Sequence, residues 1–160
     1  MTEYICPSPV GPLTLVEENG RLTEVRWNPG LPRAAAPLAL PATPLLRQAA
    51  AELTAYFAGE LREFTVPLAP KGTPFQQKVW ATLQTIPYGE TCTYGEIAAR
   101  IGNEKACRAV GMANNRNPLP IFIPCHRVVG KNGKLVGYAG GLDIKTYLLE
   151  LEKEIGRAHV

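Results

Sequence analysis

Near the N-terminus, apolar and polar residues alternate over two short stretches, which predicts two β-strands. The stretches at 13–16 and 22–27 are rich in Leu, Val and Thr, and an Asn-Gly pair at 19–20 between them favours a tight hairpin turn. Farther along, Thr43 can cap a helix that has Pro44 in its first position. The apolar face of this helix consists of Leu45, Ala49, Leu53, Tyr56 and Phe57. These elements predict a small antiparallel sheet with one helix.

Two proline-rich stretches interrupt this pattern. Residues 28–44 combine Pro and Ala, which predicts a loop. Residues 66–72 contain too much Pro and Gly for a helix or a strand. We therefore place a domain boundary there and predict an α/β domain over 1–72, followed by a mainly helical domain over 73–160.

The second half begins with two helix-capping sequences. Thr73 with Gln76, and Thr93 with Glu96, can each form a capping box, in which each side chain bonds to the other residue's backbone amide. The apolar face of the first helix consists of Phe75, Val79, Leu83 and Ile86. The second box predicts a short helix that ends at Ile101.

A tight turn separates this short helix from the next one. Asn103 can cap a third helix over 104–114, and two helices joined so closely form a helix-turn-helix. Residues 128–136 predict a hairpin with a basic tip, and a last helix is predicted over 142–155. The apolar face of the last helix consists of Ile144, Tyr147, Leu148, Leu151 and Ile155. A helix-turn-helix followed by a basic hairpin resembles a winged-helix domain.

The third helix mixes small and basic residues over 105–113. Recognition helices that enter the major groove of DNA usually offer long polar side chains to the bases. Small residues instead let a helix backbone approach closely, either to the narrow minor groove or to another helix. The composition of this helix leaves both alternatives open.

Composition and charge indicate a folded protein with a local basic region. Hydrophobic residues make up 46% of the 160 residues, enough for a folded core, and the net charge is +3. Between Arg100 and Lys134, seven basic residues accompany a single acidic one. Such a local excess suits an anionic polymer, although a solvated surface would also account for it.

The sequence lacks the patterns that indicate secretion, membrane insertion, disulfide bonds or a metal site. The first ten residues show no secretory pattern, and no apolar run reaches the length of a membrane span, so we expect a cytoplasmic protein. The four cysteines include no Cys-x-x-Cys pair, and there are only two histidines. We therefore expect neither disulfides nor a metal site.

Residues 121–129 hold the strongest candidate for chemistry. An apolar, strand-like run leads through Pro124 to Cys125, His126 and Arg127, and a second apolar run follows. Such flanks predict a buried cysteine, which is inert unless a neighbour such as His126 or Arg127 stabilises its thiolate. Because adjacent residues of an extended chain point to opposite sides, we expect His126 to act through a water molecule. A core cysteine beside a surface histidine is the alternative.

The segment Pro124-Cys125-His126-Arg127-Val128 resembles the active-site signature of the O6-alkylguanine-DNA alkyltransferases. The resemblance covers nearly all of the second half, and further segments match in order and spacing: 75–80 (FQQKVW), 86–91 (IPYGET), 94–98 (YGEIA), 108–111 (RAVG), 117–118 (NP) and 138–142 (YAGGL). The N-terminal half matches more loosely. The resemblance implies a ribonuclease-H-like N-terminal domain and a winged-helix-like C-terminal domain that binds DNA.

The resemblance also implies a reaction and the residues that perform it. The alkyl group of O6-alkylguanine in double-stranded DNA would move irreversibly to Cys125, once per molecule and without a cofactor, with O4-alkylthymine as a second candidate substrate. His126 would deprotonate Cys125 through a water molecule, and Glu152 would orient His126. Tyr94 would give a proton to the departing guanine, and Asn117 would stabilise the turn that presents the cysteine.

A DNA-binding surface and a substrate pocket follow from the same resemblance. Arg108 would enter the duplex in place of the flipped nucleotide. The other DNA-binding residues would be Thr93, Tyr94, Lys105, Ala109, Gly111 and Arg116. The pocket residues would be Met112, Val128, Tyr138, Ala139 and Gly140. Tyr138 would stack against the alkyl-guanine pocket. The partner would be damaged DNA, bound by a monomer, with cooperativity on DNA left open.

Two departures from the family affect these expectations. Cys6 lacks the Cys and His partners that form a zinc site in the N-terminal domain of some relatives, so we predict no metal here. Ala139 stands where some relatives have serine, so a contact through its backbone amide would survive and a hydroxyl contact would be lost. Gly140 would leave room for alkyl groups larger than methyl.

Two other functions remain open from the sequence. A non-catalytic binder of damaged DNA, or a regulator, could use the same winged helix, although no additional effector domain is evident. A thiol hydrolase could use Cys125 and His126, but nothing in the chain indicates an oxyanion site, and the basic helix-turn-helix would then be unexplained.

Overall fold

The computed structural model describes residues 1–28, 40–138 and 140–158, with side chains described as far as residue 154. Most of the predicted loop at 28–44 lies outside the described residues, and so does Ala139. The chain divides into two compact units, Met1–Pro70 and Lys71–Val160. None of the helices among the described residues is long and apolar enough to cross a membrane.

The N-terminal unit contains a three-stranded antiparallel sheet in the order β1–β2–β3. Its strands are β1 (Thr2–Cys6), β2 (Leu13–Glu18) and β3 (Arg21–Trp27). Asn19 and Gly20 have φ values of 53° and 75° between β2 and β3, which confirms the predicted Asn-Gly turn. Strand β1 has no counterpart among the predicted elements.

One helix, α1 (Pro44–Phe57), packs against this sheet. The hydroxyl oxygen of Thr43 accepts a hydrogen bond from the backbone nitrogen of Leu46 at 3.1 Å, which confirms the predicted cap. The buried residues of α1 are Leu45, Leu46, Ala49, Leu53 and Tyr56. The predicted architecture of this half, a small sheet with a helix, is therefore confirmed.

The C-terminal unit is mainly helical, as predicted. Its helices are α2 (Pro74–Leu83), α3 (Tyr94–Arg100), α4 (Cys107–Asn115) and α5 (Leu142–Ala158). Both predicted capping boxes are present, with Thr73 and Gln76 at the start of α2 and Thr93 and Glu96 at the start of α3. Helix α4 packs on α2 and α3, so the helix-turn-helix region forms one packed layer with α2.

The start of α4 differs from the prediction. The helix begins at Cys107, and Ala106 at its N-cap has no side-chain oxygen to offer, so Asn103 does not cap it. Gly102, with a φ of 81°, ends the preceding helix, and the backbone oxygen of Asn103 accepts from the amide of Ala106 at 3.0 Å. The residues predicted as the first turn of the helix therefore form a separate turn.

The predicted hairpin at 128–136 is wrong. Its first part is a short strand, β5 (Val128–Val129), which pairs in parallel with β4 (Cys92–Thr93). Both residues of β5 are buried, and no antiparallel partner strand follows in the described residues up to 138. The predicted basic hairpin is replaced by a loop.

This loop, residues 130–138, is called the basic loop below. Residues 131–133 form a 3₁₀ turn that exposes Lys131, and the amide of Gly130 donates to the backbone oxygen of Lys134 at 2.7 Å. Asn132 has a φ of 65°, so the predicted turn at Asn132-Gly133 is present. The hydrogen bond from Gly130 to Lys134 closes this turn into a compact loop. Beyond Lys134 the loop has no regular secondary structure.

Candidate active site

A strained turn leads to Cys125. Ile121 has a φ of 75°, which is rare for a β-branched residue and costs on the order of 1–3 kcal/mol. Asn117 holds this turn from inside: its side-chain nitrogen donates to Ile123 O, and its side-chain oxygen accepts from Leu119 N, both at 2.9 Å. The two bonds keep the strained backbone in place ahead of the cysteine.

Cys125 begins a 3₁₀ turn (Cys125–Arg127), so the expectation of an extended strand at this point is wrong. In a strand, successive side chains would alternate between the two faces, whereas all three residues of this turn are buried. The backbone nitrogen of Cys125 donates to Ile123 O at 2.7 Å, and the side chain of Asn114 donates to Cys125 O at 3.4 Å. Both bonds fix the backbone of the cysteine.

The environment of the Cys125 thiol partly offsets the cost of its burial. Burial raises the pKa of this thiol, while the neighbouring Asn117, Lys145 and Tyr138 act in the opposite direction. By contrast, burial raises the pKa of Cys6 to about 11, and no group opposes it. All four cysteines are unbridged, and no cluster of His, Cys, Asp and Glu among the described residues could hold a metal ion.

His126 is fully buried, and its ring is bonded on one side only. Its Nε2 lies 2.6 Å from Oε2 of Glu152. Because an ionised carboxylate can only accept, Nε2 carries the hydrogen and Nδ1 keeps its lone pair. Nδ1 has no hydrogen-bond partner among the described residues, so the ring does not bond directly to Cys125. Burial lowers the pKa of His126, which favours the neutral ring.

The carboxylate of Glu152, on α5, is buried and accepts hydrogen bonds from several donors. Arg127 binds both of its oxygens, with Nε 2.8 Å from Oε1 and Nη2 3.1 Å from Oε2, and Gly89 N donates to Oε1 at 3.3 Å. Burial alone would raise the pKa of Glu152, but the hydrogen bond from His126 and the hydrogen bonds and charge of Arg127 hold it well below its usual range. Arg127, considered above as a partner of the thiolate, is bonded to Glu152 instead.

Lys145 is a site residue that the sequence did not reveal. It is fully buried on α5, and its Nζ donates to Val128 O at 2.6 Å, to Val136 O at 3.1 Å and to Gly137 O at 3.4 Å. Burial lowers the pKa of Lys145, and the three carbonyl oxygens take the place of water around it. The ammonium group thereby ties α5 to β5 and to the basic loop.

Two tyrosines flank the thiol and the basic loop. The hydroxyl of Tyr138 is buried near the thiol of Cys125, and the residue as a whole is partly exposed. Tyr94, the first residue of α3, donates its hydroxyl to Val136 O at 3.3 Å. Burial raises the pKa of both tyrosines, so both are neutral and can donate a proton. Gly140 is partly exposed just beyond them.

Met112, one of the expected pocket residues, is on the exposed face of α4. It lines a groove between α2 and α4 together with Phe75 and Arg116. The α4 side chain that reaches Cys125 belongs to Asn114, which is buried and lies two positions farther along the helix. A polar residue near a helix end gives no signal of burial in a sequence, so this contact was missed.

The outer face of α4 and the turn before it carry most of the expected DNA-binding residues. The exposed ones are Lys105, Arg108, Ala109 and Arg116. On the inner face, Val110 and Ala113 are buried, and a Cβ on Gly111 would lie 3.8 Å from the ring of Tyr94. Small residues therefore serve packing on one face and leave the other face open to close approach. Thr93 is partly buried as the cap of α3.

Comparison with known proteins agrees with this division of the chain. Residues 74–154 match the family model described as the DNA-binding domain of 6-O-methylguanine DNA methyltransferase. Residues 1–70 match the model described as the ribonuclease-like domain of the same protein. Together the two models cover nearly the whole chain.

Individual relatives are similar over almost their full length. The methylated-DNA–protein-cysteine methyltransferase of Methanosarcina acetivorans is 55% identical over 149 residues, which is 92% of this chain and 96% of that protein. The constitutive enzyme of that name from Bacillus subtilis is 48% identical, with 91% and 92% covered. A crystal structure of Mycobacterium tuberculosis OGT in complex with DNA is 49% identical with a TM-score of 0.84, with 96% and 93% covered. The chain therefore belongs to the 6-O-methylguanine-DNA methyltransferase family.

Proposed function

We propose that this protein repairs O6-alkylguanine in double-stranded DNA by taking the alkyl group onto Cys125, once per molecule. The observation that carries the proposal is the buried His126–Glu152 pair directly after the buried Cys125 in the chain, in a protein of this family. A binder without chemistry would have no need for a neutral imidazole with a free lone pair beside a buried thiol.

His126 is the base in this proposal. A water molecule passes the thiol proton of Cys125 to Nδ1, because the ring makes no direct bond to the sulfur. Glu152 holds Nε2–H at 2.6 Å and so fixes both the tautomer and the orientation of the ring. Asn117 supports the thiolate twice, because it acts to lower the pKa of Cys125 and because it stabilises the turn that presents the cysteine.

The transfer itself is a displacement at carbon. The thiolate sulfur attacks the alkyl carbon, a carbon–sulfur bond forms, and the electron pair of the carbon–O6 bond leaves with guanine. Tyr94 donates its phenolic proton to the departing base, because a neutral guanine is a better leaving group than its anion. The thiol loses one proton and guanine gains one, so the reaction balances without a cofactor. A thioether offers water no carbonyl to attack, so the product is permanent.

The pocket around the sulfur is formed in part by the basic loop. The ring of Tyr138 stacks on the base, and Val128 and Gly140 line the pocket beside it. Ala139, outside the described residues, contributes its backbone amide in this proposal on the strength of the sequence alone. The absence of a side chain at Gly140 admits groups larger than methyl, and O4-alkylthymine is a second candidate substrate.

The exposed face of α4 binds the DNA. The alkyl group on O6 lies inside the base stack, so the nucleotide has to be flipped out, at a cost of a few kcal/mol. Arg108 fills the space that the base leaves, and Lys105 and Arg116 contact phosphates. Ala109 lets the helix backbone come close to the minor groove, whereas Gly111, expected to do the same, faces Tyr94 on the inner side of α4. Thr93 and Tyr94, at the start of α3, lie on the same DNA-binding side in this proposal.

We place the protein in the cytoplasm, and we assign residues 73–160 as the alkyltransferase domain and residues 1–72 as a structural domain. The cytoplasm is a reducing compartment, in which the acceptor Cys125 can remain a free thiol. All four cysteines of the protein are unbridged, which agrees with this placement. Every residue in the proposed steps lies in the second of the two compact units.

The direct test is mass spectrometry of the protein after incubation with duplex DNA that contains O6-methylguanine. We expect the peptide that contains Cys125 to gain one methyl group in place of hydrogen, in proportion to the DNA supplied and never more than once per molecule. Unmodified protein after long incubation with excess substrate would indicate a binder and refute the proposal. Continued turnover of an ester or amide would instead indicate a thiol hydrolase.

Replacing Arg108 with alanine is expected to slow the repair of duplex DNA by about tenfold or more, because the substitution removes the group that offsets part of the cost of base flipping. Arg108 is exposed, so the fold should not change. The reaction with a free O6-alkylguanine base, which requires no flipping, should keep its rate. Rates on both substrates, measured by the mass of the Cys125 peptide, provide the comparison, and equal losses on both would contradict this role.

A further inference from the structure

Arg127 is buried within the active site and yet takes no part in the steps proposed above. Its Nε and Nη2 bind the two oxygens of Glu152 at 2.8 and 3.1 Å, and its Nη1 donates to Ile86 O at 2.8 Å. Its guanidinium carbon lies 5.6 Å from the centre of the Tyr88 ring. The residue is only 7% exposed. Burying a guanidinium is costly, so a cluster that fixes all three nitrogens calls for an explanation.

The charges of this cluster balance only when Arg127 is present. Glu152 is ionised and Arg127 is positive, so the pair is neutral and His126 can remain neutral beside it. Without Arg127, the nearest group able to compensate Glu152 would be the imidazole of His126. A buried carboxylate 2.6 Å away would then favour the protonated ring. A protonated ring has no lone pair at Nδ1 and cannot accept the proton of Cys125.

We propose that Arg127 is a positioning residue for the alkyl transfer, which neutralises Glu152 and thereby keeps Nδ1 of His126 unprotonated and able to act as the base. The inference rests on the proposed function, because it requires Cys125 to be alkylated with the help of His126. In this proposal Arg127 controls the protonation of His126, in addition to making hydrogen bonds that stabilise the fold.

The other groups around His126 support this assignment. Burial lowers the pKa of His126, Glu152 acts to raise it, and Arg127 and Lys145 act to lower it. Lys145 is held by three carbonyl oxygens and would stay in place without Arg127. Helix α2 also packs against the 3₁₀ turn, but Lys78, its one charged residue, is exposed. Tyr138, from the basic loop, is neutral and lies near Cys125.

The test compares Arg127→Met with the unaltered protein over a range of pH, with the rate of Cys125 methylation on duplex DNA as one readout. We expect the acid limb of the pH profile to move upward by about one pH unit, because a single neighbouring charge shifts a buried group by at least that much. The variant should react about tenfold more slowly on the acid limb and approach the normal rate at higher pH. A residue that only supports the fold would lower the rate equally at every pH.

A second readout observes the ring directly. The chain has two histidines, His126 and His159, so the ring nitrogens of ¹⁵N-labelled protein can be assigned with a His159→Asn variant. We expect Nδ1 to become protonated in both proteins as the pH falls, at a pH about one unit higher in Arg127→Met than in the unaltered protein. Arg26→Met removes an exposed arginine from the N-terminal unit and serves as the control, with both readouts unchanged.

A double variant, Arg127→Met with Glu152→Gln, keeps the proposal testable where the single variant does not fold. It removes both charges and leaves a side-chain oxygen that can accept from Nε2, so the acid limb should return to its normal position. If Arg127→Met folds and has an unchanged profile, or if the double variant keeps a raised limb, the proposal is overturned. Failure of the unaltered protein to alkylate Cys125 would refute the proposed function itself, which is a separate result.

Discussion

A protein in which serine replaces Cys125 is expected to lose alkyl transfer completely and still bind DNA that contains O6-methylguanine. An oxygen nucleophile in this position needs far stronger activation than a thiol, because a hydroxyl is much less readily ionised. The backbone of residue 125 is held by Ile123 O and by Asn114, which the substitution does not touch. The exposed face of α4, which we propose as the DNA-binding surface, should therefore be unchanged.

Peptide mass and a gel-shift measurement on the same sample separate chemistry from binding. Cys6→Ser is the matched control, because Cys6 is a buried thiol of the N-terminal unit whose pKa is raised to about 11. That variant should transfer the methyl group at the normal rate. A methyl group on any peptide of the Cys125→Ser protein would show that the acceptor had been assigned to the wrong residue.

Local chemistry made several elements predictable from the sequence. The capping boxes at Thr73 and Thr93 depend on a side chain and a backbone amide three residues apart, so they form wherever the helix forms. The turn at Asn19 depends on residues that tolerate a positive φ. The third helix was predicted to start too early because Asn103 has the right residue type for a cap but lies in a turn that Gly102 closes.

The buried charges of the site were not predictable in the same way. Helix α5 was expected to bury an apolar face that includes Ile144 and Tyr147, yet Tyr147 is 39% exposed and the fully buried positions are Lys145, Leu148 and Glu152. Apolar periodicity cannot reveal a face of this kind, since a buried lysine or glutamate is possible only with partners from elsewhere in the chain. Those partners are carbonyl oxygens and Arg127, which only the folded chain brings together.

The sequence and the structure give partly different reasons for proposing Cys125 as the acceptor. A strand was expected, and the opposite directions of neighbouring side chains were the reason to doubt a direct contact with His126. The chain instead forms a 3₁₀ turn, and the contact is absent because Glu152 holds the ring through Nε2. The family resemblance indicated which residues matter, whereas their geometry depends on the strained turn at Ile121 and on Asn117.

Replacing Glu152 with alanine is expected to lower the free energy of unfolding by about 3–5 kcal/mol near neutral pH, because it leaves a buried arginine without its counter-charge. Arg127 would retain Ile86 O as its hydrogen-bond acceptor, and Nε2 of His126 would lose its own. Denaturant unfolding measures this loss. Glu150 is exposed on the same helix, so Glu150→Ala should change the stability by less than about 0.5 kcal/mol.

The size of this loss should depend on pH in a definite direction. The pKa of Glu152 is held well below its usual range in the folded protein by His126 and Arg127, against the effect of burial. A carboxyl group of this kind stabilises the fold fully above its unfolded pKa of about 4.3, and the contribution is lost as the pH falls further. The difference between the unaltered protein and Glu152→Ala should therefore be largest at neutral pH and shrink in acid. A difference that stays constant with pH would mean that Glu152 acts by packing, and that its ionised pairing with Arg127 contributes nothing to stability.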